Sequence, residues 1–134
     1  MYYVEEVRIP PQTSRDDAIR TVMELSVGTI QRVRVCFPPG CCSLVHVQIL
    51  RHEHQLYPTT PGSSFAWDAY VIEFVDSYPL DEAPYELKLV TWNDDDSYYH
   101  TIQVQIEVAE YDIVRLLVDL MKKGLGGIFG IGSK

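Results

Sequence analysis

The chain has 134 residues, of which 46% are hydrophobic and 22% charged, proportions that fit one globular domain and exclude a disordered one. A chain of this length buries roughly two-thirds of its unfolded surface and needs no disulfide framework. Nineteen acidic residues against eleven basic give a formal charge of -8, which disfavours non-specific binding to nucleic acid or to an anionic membrane.

Tyr2–Ile9 is aromatic and β-branched and closes at Pro10-Pro11, so it reads as a strand. The first residues lack the basic and apolar regions of a signal peptide. Positions 12–18 form a polar loop. Positions 20–27 alternate, with Thr21, Met23, Leu25 and Val27 on one face, and Gly28 reads as a break. Positions 29–37 set Val33, Val35 and Phe37 against Arg32 and Arg34, a half-buried strand with a basic outer face. Pro38-Pro39-Gly40 predicts a tight turn. Positions 44–50 place Val45, Val47 and Ile49 together, and 55–57 make a short strand before Pro58. Positions 58–64 are a Pro/Thr/Gly/Ser loop. Positions 69–75 alternate Tyr70, Ile72 and Phe74 against Val71, Glu73 and Val75. Positions 78–84 hold two prolines and read as a loop, and 85–92 alternate again. After the polar turn at 93–97, positions 99–108 direct Ile102, Val104, Ile106 and Val108 inward.

Seven or eight short strands at intervals of about ten residues predict a mainly β chain. The expected fold is an antiparallel β-sandwich, jelly-roll or Ig-like, over residues 1–110. The cysteine pair of a true immunoglobulin domain is absent. Cys36, Cys41 and Cys42 read as unpaired thiols in a reducing cytosol.

After residue 110 the period changes. Ile113, Leu116, Leu117, Leu120 and Met121 recur at helical spacing and make one apolar stripe. Lys122 and Lys123 suit the last turn, and Gly124 suits the stop. A helix of about 13 residues would be roughly 20 Å long, too short to cross a bilayer. A glycine-rich apolar tail follows, with Leu125, Ile128, Phe129 and Ile131. Residues 111–134 therefore read as a helix and tail that dock on a protein surface, their own or another subunit's. Charge divides along similar lines. Residues 1–51 carry six basic and five acidic groups, residues 52–110 one basic against twelve acidic, and residues 111–134 four basic and two acidic.

Few residues suggest chemistry. His46, His52 and His54 share parity, and the two imidazoles of His52 and His54 on one strand face could begin a metal site with His46 or His100. A cupin-like site would also need a glutamate after three or four intervening residues, where Pro58 and Thr59 stand. Asp94, Asp95 and Asp96 offer carboxylates to calcium, but the spacing lacks the glycine and terminal glutamate of an EF-hand, and Asp is also what a turn demands. Trp67 lies in a loop, where a flat indole could stack on a sugar, whereas Trp92 ends a patterned segment and reads as core. No nucleophile elbow, phosphate loop or dinucleotide fingerprint is present. No catalytic residue, metal ligand or cofactor is expected.

Several stretches together resemble one family. They are Gly28-Thr29-Ile30, Phe37-Pro38-Pro39-Gly40-Cys41, Gln55-Leu56-Tyr57-Pro58, Trp92-Asn93-Asp94-Asp95-Asp96 and His100-Thr101-Ile102. With the strand pattern between them they resemble the small β-sandwich virion proteins of tailed phages, of the capsid decoration or cement kind. The resemblance covers about residues 1–108. It implies a structural role without an active site, oligomerisation (often trimeric), and a capsid or other virion protein as partner. It also implies a place in the virion after synthesis in the host cytoplasm. It carries over no functional residue.

Overall fold

The structure is a computed structural model and describes residues 1–110, 117, 118 and 120–124. Eight strands follow in order: β1 (Tyr2–Ile9), β2 (Ile19–Glu24), β3 (Gly28–Phe37), β4 (Val45–Arg51), β5 (His54–Tyr57), β6 (Tyr70–Leu80), β7 (Glu86–Asn93) and β8 (His100–Ala109). They form two four-stranded antiparallel sheets. The first has the order β1-β8-β3-β6 and the second β2-β7-β4-β5.

Strict alternation decides which side chains turn inward. In β8, Ile102, Val104, Ile106 and Val108 are fully buried, while Gln103, Gln105 and Glu107 between them reach the outer surface. Register hands the pattern to the neighbours. Val35 and Val33 lie opposite Val104 and Ile106, and Val7 lies opposite Ile102. Val45, Val47, Ile49, Leu87, Leu89 and Met23 of the second sheet meet these side chains in one apolar cluster. Burying each such aliphatic side chain is worth roughly 1.5–3 kcal/mol against leaving it in water. A one-residue slip of any strand would reverse that gain, so the register is tightly specified.

Three boundaries differ from the sequence reading. Tyr78, Pro79 and Leu80, expected in a loop, continue β6 opposite Ile30, Thr29 and Gly28. β6 is an edge strand, so the missing N–H of Pro79 breaks no ladder bond, and Leu80 is fully buried. β2 stops at Glu24, and Val27 is exposed. Gly28 opens β3 instead of breaking the chain. A Cβ there would lie 2.4 Å from the Ala109 carbonyl oxygen, so glycine is what lets β3 and β8 meet at this end.

Residues 117, 118 and 120–124 are helical. Ile113, Leu116, Leu125, Ile128, Phe129 and Ile131 lie outside the described residues. No helix among the described residues is long and apolar enough to cross a membrane.

Candidate functional site

The outer face of the second sheet gathers polar side chains around Trp92. Inward Leu87 and Leu89 fix the parity of β7, so Trp92, expected in a core, points to the outer face of the sheet. It is nonetheless buried, in a small separate cluster with Leu50, Val90 and Ala18. His46 lies opposite it in register. The two rings stack with centroids 4.9 Å apart and planes within 8°. The Arg15 guanidinium sits 5.0 Å from the indole centre and donates to the Gly62 carbonyl at 2.9 Å. Residues from the 3-10 turn Arg15–Asp17, from β4 and from the 58–64 loop thus close over one indole.

His46 joins two further residues. Its Nδ1 is 2.8 Å from Ser64 Oγ and its Nε2 is 2.9 Å from Asp94 Oδ2. The order is serine, histidine, aspartate, the order of a nucleophilic triad. Triad chemistry also needs donors aimed at a developing oxyanion. The side-chain amides that reach this loop from β4 and β5 are already committed to its carbonyls. Gln48 donates to Ser63 O at 2.9 Å, and Gln55 donates to Pro58, Thr60 and Ser63 carbonyls. The row works as a clasp that ties the 58–64 loop to β4 and to the acidic turn. Sequence reasoning missed it because the three residues are 18 and 30 positions apart, in a strand, a loop and a turn.

The other histidines do not join His46. His52 and Glu53 are the two central residues of the β4–β5 hairpin, both at positive φ (51° and 66°), as a tight primed turn requires. His52 is therefore a turn residue and not a strand partner of His54. Glu53 is held by Arg20 and Lys88, which keep its carboxyl below the usual range, Lys88 contributing most. His100 lies with Asp95 elsewhere. No group of three His, Cys, Asp or Glu side chains among the described residues is arranged to hold a metal.

The acidic triplet is spent on the turn. Asp95 Oδ2 meets His100 Nε2 at 2.8 Å, and Oδ1 accepts from the Ser97 and Tyr98 backbone N–H groups. The hydrogen bond to His100, with the Ser97 N–H behind it, holds this carboxyl below its ordinary value. Asp94 meets His46, and Asp96 accepts from Ser97 Oγ. Asn93, fully buried, anchors the turn: it donates to the Ile9 and Tyr98 carbonyls and accepts from Asp95 N–H.

Trp67 is 53% exposed, as is Tyr70, and their rings lie 5.4 Å apart at 39°. Asp68 fixes the adjoining loop by accepting from Gly40 and Cys42 N–H at 2.9 and 3.1 Å. The three cysteines are free. Burial, more than any neighbouring charge, pushes the Cys41 thiol up to about 11, far from the range of a nucleophile. Compared with protein-family models, curated proteins and solved structures, the chain matches none.

Proposed function

We propose that this chain is a non-enzymatic structural protein, a virion component of the capsid decoration or cement kind, built on a jelly-roll sandwich. It assembles through its sheets and its C-terminal segment. The strand orders β1-β8-β3-β6 and β2-β7-β4-β5 are those of the double Greek key. That architecture serves viral capsid domains, lectins and cupins. The step from it to a virion role is analogy of fold. Against the cupin alternative stands a mainly apolar interior, with buried His100 at the end of β8 already paired to Asp95.

The observation that carries the assembly reading is the state of the helical stripe. Leu117, Leu120 and Met121 are 55%, 56% and 66% exposed, while the core closes among β1–β8 without them. Such a stripe gains only by covering, at ~25 cal/mol per Å² of apolar area before ordering costs. Homo-oligomers and a capsid or other virion protein are the partners this supports. The test is light scattering on the full chain and on a chain ending at residue 110. A smaller assembly with the strand spectrum intact is expected, and an unchanged oligomer refutes the reading.

The exposed Trp67–Tyr70 pair favours a second reading, a carbohydrate-binding module. It requires glycan binding by the full chain that Trp67→Ala abolishes without affecting assembly. A silent glycan array removes it.

A further inference from the structure

We propose that residues 70–75 of β6 form a two-fold interface on which a second copy of this chain adds its own β6, joining the first sheets of two copies edge to edge. The inference goes beyond the C-terminal assembly reading, because it uses a different surface.

A strand at a sheet edge offers a row of unpaired N–H and C=O groups, and a second strand satisfies them. Among the described residues β6 pairs with β3 alone, and no other backbone group bonds to positions 70–75. The other edges are guarded. β5 has four residues. β1 carries Glu5 on the parity that faces inward, a charge that resists a further strand. β2 presents Arg20 and Glu24 at the two ends of its outer face. β6 is the longest strand, and positions 70–75 contain neither proline nor lysine. Its irregularity begins only at Asp76 and Ser77, where the register with β3 shifts.

The side chains are those of a sheet that stops one strand short. Val75 is 71% exposed on the outer face, which it shares with exposed Val71 on the far side of Glu73. On the inner face Ile72 and Phe74 are only half-buried, although they pack on the main core opposite fully buried Val35 and Val33.

The sequence of the edge argues for a copy of itself. Val71-Ile72-Glu73-Phe74-Val75 is chemically symmetric about Glu73. An isologous contact demands such symmetry, because residue i meets j and j meets i. An antiparallel pair centred on Glu73 sets Val71 against the second copy's valine on one face and Ile72 against its phenylalanine on the other. Cross-strand apolar pairs of this kind are the stabilising unit of a sheet. Two glutamates would face each other at the centre. Each is already held between Arg32 and Arg34, and Glu107 lies 3.4 Å from Arg32. Two arginines and two glutamates per copy cancel, so the centre is neutral in a chain whose 52–110 segment is strongly acidic.

The test uses the full chain. Sedimentation should give a reversible association whose mass Val75→Lys lowers by removing the edge contact, while Val22→Lys on the β2 edge leaves it unchanged. Circular dichroism and urea melts establish that both variants fold. Glu73→Cys should form a covalent dimer under mild oxidation, above the background that the native cysteines give in the wild type. A monomeric wild-type chain, or assembly untouched by Val75→Lys, overturns the proposal. If Val75→Lys leaves assembly intact and removal of residues 111–134 abolishes it, C-terminal assembly stands and edge pairing falls. The reverse pair of results retains edge pairing and refutes the C-terminal reading.

Discussion

Asn93 is the residue whose replacement most directly tests the account of the acidic turn. Its side chain is fully buried and makes three bonds: to Ile9 O at 3.1 Å, to Tyr98 O at 3.0 Å and from Asp95 N at 3.0 Å. They join the end of β1, the turn and the approach to β8. Asn93→Ala removes all three and supplies nothing in return. Each bond is worth about 0.5–1.5 kcal/mol net, and leaving a buried group unpaired adds to that. The expected loss is about 3 kcal/mol. With a urea dependence of roughly 1.5 kcal/mol per M, the unfolding midpoint should fall by about 2 M. Asn93→Asp keeps the acceptor, loses both donated bonds and adds a charge beside Asp95, so it should be no better tolerated. A loss below about 1 kcal/mol in Asn93→Ala would refute the reasoning, because it would mean that solvent or another group replaces the anchor at little cost.

Three further outcomes follow from the same region and the β3 end. Asp95 has a folded-state pKa below its ordinary 3.8, so its contribution is present above that value and is lost as pH falls through the lower folded one. Thermal melts from pH 7 to pH 2.5 should therefore show a wild-type decline on the acid side of pH 4 that is shallower in Asp95→Asn; equal slopes would contradict this. Calcium at millimolar concentration should leave the melting temperature unchanged, since Asp94, Asp95 and Asp96 are each engaged with different partners; a rise of several degrees would restore the metal reading. Gly28→Ala should cost about 1–3 kcal/mol, measured by urea unfolding, because its Cβ would press on the Ala109 carbonyl and Val108 Cγ1.

The strands were legible because period-two burial writes itself into sequence, as in Ile102, Val104, Ile106 and Val108. Ends were less so, because they depend on partners. Pro79 looks like a loop residue until its strand is known to be an edge, and Gly28 looks like a break until Ala109 is placed beside it. Trp92 is legible as a buried residue, but not the cluster that buries it: its parity with Leu87 and Leu89 sends it outward, where Leu50, Val90, Arg15 and His46 cover it, and no local pattern connects these to it. The Ser64–His46–Asp94 clasp was illegible for the same reason: its members meet only when a loop folds back over β4. Trp67 was readable as exposed because it stands in a loop without alternation.

The two outer faces divide the work of the molecule, and the division has a measurable consequence. The chain covers its second sheet itself, through Arg15 reaching Gly62 across buried Trp92. The first sheet has no such cover among the described residues. Its outer rows run Val75, Arg32, Glu107, Tyr2 and then Glu73, Arg34, Gln105, Val4, with ion pairs joining Glu73, Arg32, Arg34 and Glu107 and exposed Val75, Tyr2 and Val4 at the margins. Partly exposed pairs of this kind add ~0–1 kcal/mol to stability. Their main effect is to cancel charge where two copies would meet. Two chains of charge -8 repel over a Debye length of about 10 Å at 0.1 M salt, which shortens to about 3 Å at 1 M. Association through a neutral edge should therefore strengthen as salt rises from 0.1 to about 1 M. Contacts made by ion pairs between copies should weaken over the same range. Sedimentation across that range distinguishes them, and a decline with salt would rule out the neutral-edge account.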